Sequence, residues 1–152
     1  MNISDCMKRQ VFSIEAKTTI RDAAAIVAKK HIGLLPVVDA DERPIGVVSM
    51  GDLLKLELPD FVNFMADVDF VHDFGAAEVT RPPAKTLDKT IKSLMHPVIT
   101  VDEDCGLLRA YALMLQQDLH DIPVIDRDGK LCGIASRVDI AVAILSTWEK
   151  GS

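Results

Sequence analysis

The sequence predicts an α/β protein made of two pseudo-symmetric β-α-β-β-α units with a helical insert between them. Two stretches carry one pattern, and they read L-L-P-V-V-D-x6-G-V-V-S-x-x-D and D-I-P-V-I-D-x6-G-I-A-S-x-x-D. The pairs Pro36–Pro123 and Asp52–Asp139 both lie 87 positions apart. A repeat of this length contains a whole supersecondary unit, so two copies indicate a pair that shares an interface. Such interfaces are favourable places for small ligands.

Each unit begins with a β-rich segment, residues 11–14 in the first copy and 98–101 in the second. A helix follows the first segment, with Thr18 or Thr19 as its predicted N-cap. Ile20, Ala23 and Val27 lie on one face at helical spacing. The second copy repeats these apolar positions from residue 107 onward, which predicts a matching helix.

The second half of each unit is predicted to be a hairpin followed by a helix. In the first copy, strands over 34–38 and 45–49 flank a polar turn, and the second copy has the turn sequence D-R-D-G-K. A helix starting near Ser49 or Met50 closes the unit, and its equivalent starts at Ser136. A short leading helix also recurs, over 3–7 and 91–95, at an offset of 88.

The insert differs in character from both copies, and we divide the chain into 1–56, 57–89 and 90–148. Between Glu57 and Glu78 there are six acidic residues and no Lys or Arg. Pro59 precedes a set of apolar residues that fits one helical face: Phe61, Phe64, Met65, Val68 and Val71. His72 lies among Asp67, Asp69 and Asp73, and we favour a solvated acidic face over a metal site there.

Composition excludes several classes of protein. Apolar residues make up 49% of the chain, yet no run approaches the roughly 20 residues of a membrane-spanning helix. The N-terminus lacks the pattern of a signal peptide. Three cysteines without paired spacing indicate a reducing, cytoplasmic setting. A net charge of −6 without a basic stripe argues against nucleic-acid binding. No catalytic constellation stands out, so we do not expect an enzyme.

The two patterns, together with the leading helices, closely resemble a tandem pair of CBS domains. The resemblance covers about 1–54 and 90–145 and leaves the insert unexplained. It implies that the two units pack through their sheets. It also implies that the clefts between them bind adenosyl compounds such as AMP, ADP, ATP or S-adenosylmethionine, with no required cofactor or metal. Such pairs commonly dimerise and sense a ligand for a protein partner.

The resemblance implies that Asp52 and Asp139 bind the ribose of the ligand. A carboxylate suits a diol because it accepts several hydrogen bonds and donates none. Ser49 and Ser136, three positions earlier, are expected near ribose or phosphate at a helix N-terminus. A helix cap without any ligand is the alternative role of all four residues. Gly46 and Gly133 would let the backbone run close to the ligand or to a neighbouring strand, or would simply shape turns.

The remaining candidate contacts are also carried over from the family. The backbone and apolar surface of the first β-rich segments would contact the nucleoside, and the residues around each motif proline would border adenine: Ser13, Ile14, Thr100, Val101, Leu35, Pro36, Ile122 and Pro123. His120 could also border a nucleotide, or could be an ordinary surface histidine. Met50 in the first copy corresponds to Arg137 in the second. Because arginine can pair with phosphate, we expect the cleft of Asp139 and Arg137 to favour a phosphorylated nucleotide. The cleft of Asp52 would then be weaker, empty or suited to a less charged adenosyl group.

Two functions remain open from sequence. The first is a stand-alone, cytoplasmic, homodimeric regulatory module that binds an adenosyl ligand and signals to a protein partner. The second is a ligand-independent dimeric scaffold that uses the Phe-rich insert to bind its partner. A metal-dependent enzyme built on the insert is a third, less favoured interpretation.

Overall fold

The computed structural model describes residues 1–57 and 81–149 and has the predicted α/β architecture of two similar units. The elements of the first unit are α1 (Ile20–Lys30), β1 (Leu34–Val38), β2 (Pro44–Ser49) and α2 (Met50–Leu54). A short helix, α3 (Ala84–Leu87), precedes the second unit. That unit contains β3 (Val101–Asp102), α4 (Leu107–Gln116), β4 (Asp121–Ile125), β5 (Leu131–Ser136) and α5 (Arg137–Ser146). The predicted Phe-rich helix and the residues around His72 lie outside the described residues.

The first β-rich segment of each unit is shorter than the sequence predicts. In the first unit it is a single parallel bridge, in which the Ile14 amide donates to the Pro36 carbonyl at 3.0 Å. In the second unit it forms the two-residue strand β3, parallel to β4. The antiparallel hairpins β1–β2 and β4–β5 are the main sheet contacts of each unit, with the same register and the same irregularity after Val37 and Val124.

Local sequence explains where these elements begin and turn. Thr19 caps α1, since its hydroxyl accepts a hydrogen bond from the Asp22 amide at 3.1 Å. The motif aspartates shape both hairpin turns: Asp39 Oδ1 accepts from two turn amides at 2.9 and 3.0 Å, and Asp126 Oδ1 does the same at 2.8 and 3.0 Å. This local bonding is the mechanism by which aspartate favours turns.

The leading segments, defined here as residues 3–8 and 91–96, each pack on the opposite unit. Lys8 exchanges backbone hydrogen bonds with Ile134 of β5 at 2.8 and 2.9 Å, and His96 does so with Val47 of β2 at 2.9 Å in both directions. Ile3 is completely buried in the core of the second unit, and Ile91 in the core of the first. The sequence predicts both leading helices, which are 3-10 turns (Ile3–Asp5 and Ile91–Leu94), but not their exchange between units.

Gly46 and Gly133 lie where the leading segments cross the strands. A Cβ on Gly46 would lie 2.7 Å from Met95 Cγ and 3.0 Å from the His96 carbonyl oxygen. A Cβ on Gly133 would be 3.1 Å from the Lys8 carbonyl oxygen and closer still to Met7. Of the roles considered from sequence, close approach to a neighbouring strand is therefore the one that the geometry shows.

None of the helices within residues 1–57 and 81–149 has the length and apolar character needed to cross a membrane.

Candidate ligand-binding clefts

Ser49 and Asp52 form a reciprocal cap at the start of α2. The Ser49 amide and hydroxyl both donate to Asp52 Oδ2 at 2.9 Å, and the Asp52 amide donates to Ser49 Oγ at 3.1 Å. Asp52 is the one charged residue among those described that falls in the buried class, with 9% of its surface exposed. The capping role considered from sequence is thus real, and it holds this carboxylate in one orientation.

His96 of the second leading segment reaches the same carboxylate. Its Nε2 atom lies 2.9 Å from Asp52 Oδ1, and 60% of the imidazole side chain is exposed. Burial acts to raise the pKa of Asp52, but hydrogen bonds from the Ser49 backbone and from the His96 and Ser49 side chains outweigh it and lower that pKa below its ordinary value. The carboxylate is therefore ionised at neutral pH and already holds partners from both repeats.

A cavity of about 310 Å³ opens beside Asp52, between the two units. Leu34, Ser49 and Asp52 contribute its wall from the first repeat, and residues from the second complete it: His96, Ile99, Asp118, His120, Asp121 and Pro123. We call this cavity the acidic cleft. Its volume lies at the lower end of the range typical of small-molecule sites.

A second cavity, of about 560 Å³, occupies the pseudo-symmetric position. Lys8 and Ile134 line this second cavity at the positions that His96 and Val47 occupy in the acidic cleft. The backbone bridge between Lys8 and Ile134 is equivalent to the one between His96 and Val47. Its wall also includes Arg9, Phe12, Lys30 and His31, and we call it the basic cleft. Gly33, Leu34 and Asp121 line both cavities, so the two clefts share a wall.

Asp121 is the charged residue of that shared wall. Burial raises the pKa of its carboxyl group, Lys8 and His120 oppose the shift, and Asp139 adds to it. Lys8 lines the basic cleft with Asp121, whereas Asp139 is linked to Asp121 through Ser136, which pairs with Asp121 across the hairpin and donates its amide to Asp139 Oδ2. Asp139 itself lines neither cleft. Leu34 holds the equivalent position in the first unit, where it pairs with Ser49 as Asp121 pairs with Ser136.

Asp139 and Ser136 repeat the cap at the start of α5 with fewer contacts. The Ser136 amide donates to Asp139 Oδ2 at 3.0 Å, and the Asp139 amide donates to Ser136 Oγ at 3.0 Å. The leading-segment residue at the position of His96 is Lys8. Within the described residues, the Ser136 amide is the one donor to the Asp139 carboxylate, so this carboxylate keeps more acceptor capacity than that of Asp52.

Arg137 lines neither cleft, but it contacts the end of the neighbouring helix and two residues of the acidic cleft's wall, Asp118 and Leu119. Its Nε donates to the Leu119 carbonyl at 2.5 Å, and one terminal nitrogen lies 3.3 Å from the Met114 carbonyl and 3.4 Å from Asp118 Oδ1. A guanidinium near the last carbonyls of α4 satisfies acceptors that the helix leaves free. The phosphate contact expected of Arg137 stays a prediction, and these contacts use much of its donor capacity.

The structure gathers part of the predicted set of site residues in the acidic cleft, namely Ser49, Asp52, His120 and Pro123. The residues of the β-rich segments line two other cavities. Ser13 and Ile14 line one of about 670 Å³, and Thr100 and Val101 line one of about 580 Å³. Leu35, Pro36 and Ile122 are fully buried in the cores, so they support the cleft walls from behind.

Sequence reasoning did not assign a site role to His96, Lys8, Arg9 or Lys30, all of which line a cleft. The repeat contains a signal for two of them, because the offset of 88 in the leading segments aligns Lys8 with His96. The alignment of Lys8 with His96 indicates a site role only when it is known that each leading segment packs on the opposite unit.

Among the described residues, no group of three or more His, Cys, Asp and Glu side chains is arranged to hold a metal ion.

Two similar α/β units with exchanged leading segments and clefts at their shared interface define a paired α/β module. The CBS domain family matches residues 3–58 and 91–146, and the chain therefore belongs to that family. Two similar curated proteins are the chloroplastic CBS domain-containing proteins CBSX2 and CBSX1 of Arabidopsis thaliana, at 31% and 30% identity over 91% and 95% of this chain. The chain spans 60% of the length of CBSX2 and 63% of that of CBSX1.

A crystal structure of CBSX2 in complex with AMP superposes with a TM-score of 0.71 at 29% identity, covering 96% of this chain and 97% of that one. The CBS domain pair of protein MJ0100, in complex with 5′-methylthioadenosine and S-adenosyl-L-methionine, has a TM-score of 0.69. It covers 97% of this chain and 98% of its own, and its 22% identity makes the likeness one of fold.

Proposed function

We propose that the protein is a regulatory module that binds an adenine nucleotide or another adenosyl compound in the clefts between its CBS units. The observation that carries this proposal is the acidic cleft, where a buried carboxylate and a serine hydroxyl at a helix start face a cavity walled by both units. Ser136 and Asp139 form the equivalent pair at the start of α5, but Asp139 is only partly buried and neither residue lines the basic cleft. The AMP complex of CBSX2 makes AMP the first ligand to test.

The shared walls suggest how binding would become a signal. Each cleft contains residues of both repeats, so a ligand that contacts both walls has an affinity that depends on how the units sit. A ligand that binds one arrangement more tightly shifts the population toward it. A protein partner that distinguishes the arrangements would then respond to the ligand.

The test is a thermal-shift panel with AMP, ADP, ATP, S-adenosylmethionine and NAD, followed by calorimetry. A ligand that binds only the folded state raises the Tm, and it adds about 2.7 kcal/mol of stability at 100 times its Kd. We expect a saturable shift that is lost or reduced in the variant of the cleft that the ligand occupies, Asp139→Ala or Asp52→Ala.

The control for both variants is Asp5→Ala. Asp5 forms the same capping contact, from the Asn2 amide at 2.8 Å, but is exposed on the first leading segment. It should lose the cap without losing the ligand response. If none of the five compounds shifts the Tm at millimolar concentration, the proposed function is wrong.

We also propose that the protein forms a homodimer through the helices of its second unit. Leu108 and Leu115 on α4 and Val138, Val142 and Leu145 on α5 are large apolar side chains that are about half exposed or more. Trp148, just beyond α5, is 72% exposed. Large exposed apolar surfaces mark interaction sites in soluble proteins.

This apolar face is also what favours the second candidate function, a scaffold that assembles without a ligand. The Phe-rich insert that would contact the partner lies outside the described residues. Once a protein partner has been identified, measuring how much of it the Asp139→Ala variant captures distinguishes the two functions. Undiminished capture by a variant that no longer binds nucleotide supports the scaffold, whereas ligand-dependent capture that is lost with binding supports the sensor.

The three cysteines suit a non-catalytic protein in a reducing compartment such as the cytoplasm, which we keep as part of the proposal. All three are free, and burial raises the pKa of each thiol, in the case of Cys132 to about 11 with a further contribution from Glu103. A thiol that remains protonated at neutral pH is a poor nucleophile.

A further inference from the structure

The charged side chains around the two clefts are separated by sign. The acidic cleft is lined by Asp52, Asp118 and Asp121, with two imidazoles and no Lys or Arg among its described residues. The basic cleft is lined by Lys8, Arg9 and Lys30, with His31 and the single carboxylate Asp121. This separation results from differences between the repeats, because Lys8 aligns with His96 and Lys30 with Gln117.

The contacts of these side chains preserve the contrast. Asp118 is paired with Arg137 at 3.4 Å, which offsets one negative charge of the acidic cleft but adds no cation to its wall. Lys30 Nζ lies 4.9 Å from the centre of the Phe12 ring, and Phe12 lines the basic cleft beside it. A cation held against an aromatic ring keeps its full charge and is partly oriented.

The size and apolar surface of the basic cleft fit a nucleotide. Its volume of about 560 Å³ exceeds the 310 Å³ of the acidic cleft. Phe12, Ile32, Leu34 and Ile134 provide aromatic and aliphatic surface for a base, next to the three cations. Ligand sites combine apolar walls with a few polar groups in this way. In the acidic cleft, a phosphate would meet carboxylates instead.

We propose that the two clefts sort adenosyl ligands by charge: the basic cleft binds one that carries phosphate, and the acidic cleft binds one that carries none. This inference rests on the proposed function and adds the ligand class of each site. It also relocates the recognition of phosphate from Arg137 to Lys8, Arg9 and Lys30. The charge of the phosphate is the discriminating feature, since an ionised group is costly to place beside like charges without compensation.

Calorimetry with AMP, adenosine and inorganic pyrophosphate tests the inference on the full chain. In the double variant Lys8→Gln/Lys30→Gln, we expect AMP to bind about tenfold more weakly or worse, because charge-assisted hydrogen bonds are lost. Adenosine should bind within about twofold of the parent protein. Both lysines are exposed, and Lys8 is held by backbone bonds, so folding should persist and is checked by the Tm.

The matched control is Lys29→Gln/Lys85→Gln, which removes the same charge outside the clefts. Lys29 shares the last turn of α1 with Lys30, so both double variants lose one favourable charge at that helix end, and the control also loses Lys85 from the last turn of α3. AMP affinity in the control should stay within about twofold of the parent protein. Asp52→Ala provides the reverse case, with adenosine binding about tenfold weaker and AMP binding retained.

The outcomes separate the two proposals. If AMP and adenosine bind but the lysine variant and its control behave alike, charge sorting is wrong while the proposed function stands. Pyrophosphate binding as tight as that of AMP, lost in the lysine variant, would make the basic cleft an anion site without an adenosyl preference and would also overturn the inference. If no adenosyl compound binds the parent protein, the proposed function falls and the inference falls with it.

Discussion

At the residue scale, Asp52 is close to the limit of its hydrogen-bonding capacity before any ligand arrives. A carboxylate has about four acceptor positions, and three are used by the Ser49 amide, the Ser49 hydroxyl and His96. A ribose diol needs two. For Asp52 to hold ribose, His96 must therefore turn away, whereas Asp139 faces no imidazole at the equivalent position.

This competition predicts that His96→Ala strengthens adenosine binding at the acidic cleft by roughly fivefold. The reason is that ligand binding no longer breaks a hydrogen bond whose net contribution is about 1 kcal/mol. Calorimetry measures the change, and His120→Ala is the control because it removes the other imidazole of the same cleft without touching Asp52. Weaker adenosine binding by His96→Ala than by the control would show instead that His96 contacts the ligand.

The His96→Ala variant can also be tested without a ligand. The pKa of folded Asp52 lies below its ordinary value of 3.8, so its ionised form stabilises the fold above that pH and the contribution is lost as pH falls through the folded pKa. Removing His96 should move the carboxyl pKa upward and shrink this acid-sensitive contribution. An NMR titration of the Asp52 carboxyl group that shows no upward shift would contradict the assigned contact.

At the element scale, the exchange of leading segments joins the two units. Each segment adds a short antiparallel bridge to the last strand of the opposite hairpin and buries an isoleucine in the opposite core. The strands can accept the segments only because Gly46 and Gly133 present no side chain at the crossing. The exchange also places His96 in the acidic cleft and Lys8 in the basic cleft. The contacts that join the two units therefore also position these two cleft residues.

Adding one methyl group at the crossing tests this role. Gly46→Ala should lower the free energy of unfolding by about 1–3 kcal/mol, because the new Cβ would overlap Met95 and approach the His96 carbonyl. Gly51→Ala is the matched control, since its Cβ would have ordinary contact at 3.5 Å from Ser49 Oγ and α2 gains a better helix former. Urea denaturation compares the two, and equal stability would mean that the leading segment does not need the close approach.

At the scale of the whole molecule, the two units differ in the apolar residues that their helices expose. The positions of Leu108 and Leu115 on α4 correspond to Arg21 and Ala28 on α1. Leu108 and Leu115 therefore have polar or small counterparts on α1, whereas on α2 of the first unit Met50 and Leu54 are also more than half exposed. A pseudo-symmetric chain whose second unit has the more extensive apolar helical face can pair two copies through that face.

The prediction at this scale is that Val142→Glu converts a dimer into a monomer. Val142 is 60% exposed in the middle of α5, so a buried carboxylate would oppose the interface without disturbing the fold of the chain. Light scattering coupled to gel filtration measures the mass against the 16.6 kDa of one chain. Ile45→Glu, on the exposed face of β2, is the control and should leave the dimer intact. The same mass for both variants, whichever mass that is, would argue against this interface.

The sequence alone determined the features that depend on neighbours in the chain. Helix caps at Thr19, Ser49 and Ser136, the aspartate-bonded turns and the two hairpins all follow from residues within a few positions of each other. The constant offset of 87 extended this local information to two similar units and to the CBS family. The length of the first strand was not predicted correctly, because the β-rich segment at Ile14 forms only one parallel bridge and its pairing partner is distant in sequence.

Only the tertiary structure decided which residues meet across the repeats. His96 and Asp52 are 44 positions apart, and each becomes a partner of the other because the second leading segment crosses the first unit. Lys8 reaches the basic cleft by the equivalent crossing, while Arg137, the cation singled out from the motif, contacts the end of α4. The physical reason is that charge and hydrogen bonding act through space, whereas a repeat pattern records positions along the chain.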